Sequence, residues 1–216
     1  ADAAGWDDRI TRANGLYQRP SEYWIHAIYG SPRGEDFSYS LGLHVDYNEV
    51  EKISSHLHFV PQFYLTETLT VGGQLGYDRM QRWLIWDSQA QQLAVYKAEH
   101  YELDLRIDWY PSARSEVRLK FQWVGIDAQN ITGYQLNSNG QLLKSASPSS
   151  DFSVSDTALQ LRYRYQLAPL SNIFLVYSRG GFFASERGDE GPRGLFQEGW
   201  DGLQVESVIA KIRYRF

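Results

Sequence analysis

From His100 to Asp108 every second residue is titratable: His100, Glu102, Asp104, Arg106 and Asp108. After a short turn the same spacing yields Arg118 and Lys120. It returns at Arg162 and Arg164, and again at Lys211, Arg213 and Arg215. Residues two apart share one side of a β-strand, so this spacing draws lines of charge along neighbouring strands. Opposite charges facing each other across strands form ion pairs. The same charges around a pore select the solutes that pass. The candidate lumen-lining set is therefore Glu102, Asp104, Arg106, Asp108, Arg118, Lys120, Arg162, Arg164, Lys211 and Arg213. Both outcomes stay open: a self-satisfied network filling the interior, or a charged conduit.

Other polar groups fall on the same predicted face. All five histidines do so: His26, His44, His56, His58 and His100. His56 and His58 form an H-x-H pair, and neutral imidazoles so placed are weak candidates for sharing a metal. The chain has no cysteine and the sequence offers no third convergent ligand, so no metal and no cofactor is assigned. Ser38, Ser40, His44 and Asp46 also share a face, as polar residues of one strand must. Nothing near them matches a catalytic motif, so no catalytic residue is assigned and the protein is not read as an enzyme.

The elements that must position these groups are strands. Tyr101, Leu103, Leu105, Ile107 and Trp109 alternate with the acidic ladder. Pro111 to Arg114 is a polar turn, and Val117, Leu119, Phe121 and Trp123 alternate with Arg118, Lys120 and Gln122. A helix would scatter both sets around its axis. The pattern repeats at Tyr23–Tyr29, Phe37–Tyr47, Leu57–Leu65, Val71–Tyr77, Leu159–Leu167 and Val208–Phe216, while Ile173–Tyr177 is apolar on both sides. Pro61 is at odds with a central strand, since proline removes a ladder donor. The apolar faces are about nine residues long, enough to cross hydrocarbon when tilted.

Composition limits the function classes. No apolar run reaches the length of a membrane helix, but alternating strands hide their apolarity from such a test. Aromatic residues make up 15%, with Trp 7 and Tyr 15, as expected of interfacial belts. The net charge is -5 without a basic block, which argues against a nucleic-acid partner. Turns at 66–68, 111–115 and 169–172 are short, whereas polar loops at 127–151 and 184–201 are long. Residues 1–20 read as a polar loop and 21–216 as the strand-bearing part. Short turns on one side and long loops on the other characterise bacterial outer-membrane barrels. The final alternating strand, with Tyr214 and terminal Phe216, resembles the C-terminal assembly signal of such proteins.

Three segments carry a closer resemblance: DLRIDWYPSARSEVRLKFQWVGIDAQ, YQLAPLSNIFLVY (Tyr165–Tyr177) and GWDDRITRANG. They are similar to a proteobacterial outer-membrane β-barrel family known only as a domain of unknown function. Its long members have an N-terminal domain like a carbohydrate-binding module. The resemblance implies a transmembrane barrel and no established activity.

The expected architecture is all-β: an antiparallel transmembrane up-and-down β-barrel, with about nine or ten strands in this chain. A complete barrel has an even strand count and a periplasmic start, so the chain is read as the C-terminal portion of a larger barrel. The C-terminus is then periplasmic and residues 1–20 extracellular. The expected function is a channel or transport-type pore with a charged lumen. The alternatives are a plugged barrel anchoring or docking a partner or a surface or periplasmic domain, an outer-membrane enzyme, and a soluble carbohydrate-binding sandwich. Expected partners are outer-membrane lipid and lipopolysaccharide, the barrel-assembly machinery, and another chain or earlier strands completing the ring.

Overall fold

The computed structural model describes residues 1–216 apart from Arg33, Glu35 and Phe216. The chain opens with a small hairpin, β1 (Gly5–Asp7) and β2 (Tyr17–Arg19). The main strands follow: β3 (Tyr23–Gly30), β4 (Phe37–Asn48), β5 (Lys52–Thr66), β6 (Leu69–Asp87), β7 (Gln92–Ser112) and β8 (Ser115–Leu136). After a short β9 (Leu142–Lys144) come β10 (Phe152–Ala168), β11 (Ser171–Ser185), one helix α1 (Gly191–Asp201) and β12 (Leu203–Arg213). The sheet is ten-stranded and antiparallel in the order β12-β11-β10-β8-β7-β6-β5-β4-β3, with β9 on the end of β8. Its edges β3 and β12 do not pair with each other among the described residues, so the sheet is open.

The sequence period of two survives in the register. Leu105 pairs with Phe121 and Gly73, and Asp104 pairs with Gln122 and Gln74. The alternating sides of neighbouring strands therefore line up across the sheet, one face mainly apolar and the other mainly polar. Pro61 sits within β5 opposite Tyr39, where the β5–β6 ladder skips a stretch between Phe59 and Gln62. That gap accommodates the missing donor.

The connections differ at the two ends. At one end the turns are tight, at 67–68, 113–114 and 169–170. At the other end the segment expected as a loop at 127–151 is largely structured. Strand β8 runs on to Leu136 and pairs with β9. The N-terminal segment, expected as a loop, packs Tyr17 against Leu84, Leu93 and Val95, with Ile10, Val50 and Trp86 around them. A second cluster of Ala94, Tyr96, Ala98 and Ala128 packs with Met80, Trp83 and Phe152. The two clusters flank the bulges at Met80/Trp83 and Val95/Tyr96, where the sheet acquires buried residues on both faces. The turn between β4 and β5 closes over Glu51, which accepts the buried Leu84 amide and an Asn48 amide. Burial pushes the Glu51 carboxyl above its ordinary range, and those two hydrogen bonds restrain the rise.

The segment at 184–201, read as a polar loop, folds into α1. Its signals are Pro192 at the first helical turn and the helical spacing of Leu195, Phe196, Gly199 and Trp200. The helix lies on the apolar face. Phe196 meets Phe121 and Trp123, and Trp200 meets Phe121. Gly181 and Gly199 bring the backbones so close that a Cβ on Gly181 would overlap the Gly199 carbonyl. Asp127 takes the Gly191 amide at 2.7 Å and the Ser153 hydroxyl at 2.6 Å, holding the start of the helix. At the far end Arg179 stacks 4.4 Å over Trp200 and donates to its carbonyl. No helix among the described residues is long and apolar enough to cross a membrane, which leaves strands unaddressed.

Candidate functional site

The polar face of the sheet is the site. Away from α1 it is the sheltered side. Leu43, Leu57 and Leu75 on the apolar face are 45%, 44% and 49% exposed. Across the sheet from them, the Asp78 and His100 side chains are 22% and 19% exposed. A soluble sheet with one wet face shows the opposite arrangement.

A row of polar side chains, four imidazoles and one carboxylate, crosses five strands at one level. The register aligns His26, His44, His56, Asp78 and His100. Asp78 joins two of them: one carboxylate oxygen contacts His56 Nδ1, and the other lies 2.7 Å from His100 Nδ1. His100 Nε2 in turn lies 3.8 Å from Glu102. The H-x-H pair is therefore rearranged relative to the expectation from sequence. His56 and His58 stand 5.4 Å apart, ring to ring, but the tight contact of His56 is with Asp78 on the next strand. His58 lies over Gly42, where a Cβ would overlap the imidazole. Asp78 was missed because spacing within one strand shows nothing about the residue across the ladder. Ser38 and Ser40 share this face with His44, but Ser40 lies four residues along the strand, roughly 13 Å away. His44 instead faces Asp46 at 3.8 Å.

The charged residues divide into two groups. Near the tight turns, Arg106 meets Asp108 at 3.2 Å and Arg118 meets Asp108 at 3.4 Å. Arg118 and Arg164 converge on Glu116 at 2.5 and 3.1 Å. Glu116, whose side chain is 7% exposed, is the hub, and sequence spacing did not single it out. Its signal lies in register: it pairs directly with Arg164 and sits two residues before Arg118. Replacing Glu116 with glutamine is expected to cost about 1–3 kcal/mol, since two guanidinium groups lose their shared anion but keep partial access to water. A shift in the denaturant midpoint measures it.

Lys120, Arg162, Lys211 and Arg213 form the second group. None has a carboxylate within ion-pair distance among the described residues. Glu102 takes a 3.3 Å hydrogen bond from Gln74, and Asp104 faces a cavity of about 310 Å³ with Arg106, Lys120 and Gln122. The ten candidate lumen residues thus share one face, and only part of them are ion-paired. Of the two C-terminal signal residues, Tyr214 is exposed just past β12, and Phe216 lies outside the described residues.

No curated protein matches the chain, and no solved structure matches it. A family model described as a domain of unknown function, DUF5916, matches residues 6–191, from the first hairpin through β11 to the start of α1. The chain, an open antiparallel sheet with a sheltered charged face, therefore belongs to the DUF5916 family.

Proposed function

We propose that the chain is part of an integral outer-membrane β-barrel whose charged face lines a channel or transport-type pore. The observation that carries this reading is the reversed amphipathy: exposed leucines on one side and half-sheltered acids and histidines on the other. Lipid is the solvent for which that arrangement is stable, because it favours leucine outside and leaves polar groups to a water-filled interior. The tight turns at 67–68, 113–114 and 169–170 support a periplasmic end, and the long, partly folded connections after β8 and β11 support an outer end, which also carries the short turns at 49–51 and 88–91. The C-terminus then points to the periplasm.

The open edges support a ring larger than this chain. Strand β3 exposes Ile25 and Ile28, and β12 exposes Val208 and Ile212. Both edges also offer unpaired backbone groups, which hydrocarbon does not tolerate. Further strands, from the same polypeptide or another chain, would close them. Assembly of that ring would use the outer-membrane assembly machinery, with Tyr214 and Phe216 in its recognition signal.

The test is conductance of the full-length protein in planar lipid bilayers. Discrete channel steps are expected, with charge selectivity altered by reversing Asp104 or Lys120. Bilayers that stay closed with correctly inserted protein would reject the pore. They would favour a plugged barrel that anchors or docks a partner, a reading supported by the Glu116 network already satisfying Arg118 and Arg164. A soluble carbohydrate-binding sandwich would need a second layer over the apolar face. Among the described residues the packing on that face is confined to α1 over Phe121 and Trp123 and the N-terminal segment over Leu84, Leu93 and Val95.

A further inference from the structure

On the polar face, next to Arg162, β11 presents Phe174 and Val176, and β12 presents Ile209 beside Lys211. The register aligns Arg162, Val176 and Ile209 across three strands, and pairs Phe174 with Lys211. Together with Gln160 these residues line a cavity of about 400 Å³. No carboxylate lines it.

Arg162 and Lys211 have no ion-pair partner among the described residues. The Arg162 guanidinium lies 5.9 Å above the Phe174 ring. Lys120, also without a carboxylate partner, stands directly across from Gln160. Arg162 itself faces Arg118, a like charge, across the β8–β10 ladder. Directly opposed like charges destabilise a sheet unless something offsets them. The Glu116 and Asp108 carboxylates are taken by Arg118, Arg164 and Arg106, which leaves Arg162 uncompensated.

We propose that this cavity binds an organic anion with an apolar body, such as an aromatic carboxylate. The guanidinium of Arg162 matches a carboxylate through two parallel hydrogen bonds, and Lys211 adds a point charge. The Gln160 amide supplies a neutral donor. Phe174, Val176 and Ile209 form the floor that takes the apolar part, a combination typical of small-molecule sites. An inorganic anion would satisfy the cations but leave the apolar floor wet. A neutral apolar solute would use the floor and leave the cations unpaired. The proposal names a solute class for the proposed channel, and depends on that reading only for access to the polar face.

The experiment is calorimetric titration of the full-length protein, in a nonionic detergent, with benzoate, benzylamine and inorganic phosphate. Saturable benzoate binding is expected, with benzylamine silent and phosphate weaker than benzoate by about tenfold or more. Arg162→Gln should weaken benzoate by about tenfold, and Arg162→Lys by less. Glu49→Gln, in the exposed turn between β4 and β5 and outside the cavity lining, should leave benzoate unchanged. Equal binding of benzoate and benzylamine would overturn the proposal, as would no saturable benzoate heat or no effect of Arg162→Gln. Phosphate binding as tightly as benzoate would also overturn it, reducing the site to a bare cation cluster. Closed bilayers with intact benzoate binding would remove the pore and leave the site standing. An open pore without benzoate binding would do the reverse.

Discussion

Leu105→Arg is expected to destabilise the protein by about 2–4 kcal/mol when unfolding is followed from lipid vesicles. Leu105 sits at mid-strand on the apolar face, exposed, between Gly73 and Phe121. If that face meets hydrocarbon, the guanidinium must be desolvated or drag water inward. If it meets water, an exposed Leu→Arg change costs within about 0.5 kcal/mol. The paired substitution Gln122→Arg lies on the neighbouring strand and the opposite face. It should cost little in either case, because the polar face is wet under both readings. The difference between the two variants therefore reports the solvent of the apolar face and cancels effects common to adding an arginine to this hairpin. Equal, small costs would reject the membrane reading.

Trp123→Ala is expected to cost about 3–5 kcal/mol and to release α1 from the sheet. Trp123 is only 8% exposed on an apolar face where Leu43, Leu57 and Leu75 are largely open. Its indole stacks on Tyr101 at 6.2 Å, meets Phe196 edge-on at 5.6 Å, and donates to the Ser155 hydroxyl at 3.0 Å. Alanine leaves a void beneath α1 and an unpaired Ser155. Trp123→Phe should lose mainly the hydrogen bond, at about 1 kcal/mol. Denaturant midpoints measure both costs, and protease cleavage within 186–202 measures release of the helix. Intact protection of that segment in the alanine variant would show that Asp127 and Arg179 hold the helix without the indole.

The strands and their two faces were legible in the sequence because a strand reports itself locally. Its side chains alternate whatever it pairs with, so Leu103, Leu105 and Ile107 against Glu102, Asp104 and Arg106 needed no partner to be recognised. The ten charged candidates fell on one face for the same reason. The helix was harder to see. Asp189, Glu190 and Arg193 made 184–201 read as a polar loop, and the pattern at Leu195, Phe196, Gly199 and Trp200 is short and interrupted by glycine. Strand β8 was cut short at Asp127 because its extension to Leu136 carries Asn130, Thr132 and Gly133, polar or small residues held by pairing with β7.

Alternation along the chain is enough to establish an all-β, antiparallel protein, polar on one side and apolar on the other, with tight turns at one end. Which charges meet is set by how the strands are laid together. Asp78 joins His56 and His100 from across the ladder, Glu116 gathers Arg118 and Arg164, and Arg162 lies over Phe174 beside Lys211, neither cation with a carboxylate partner among the described residues. The physical reason is that alternation is a property of one strand, whereas an ion pair or a binding pocket depends on register, and register is set only when strands from distant parts of the chain are laid side by side.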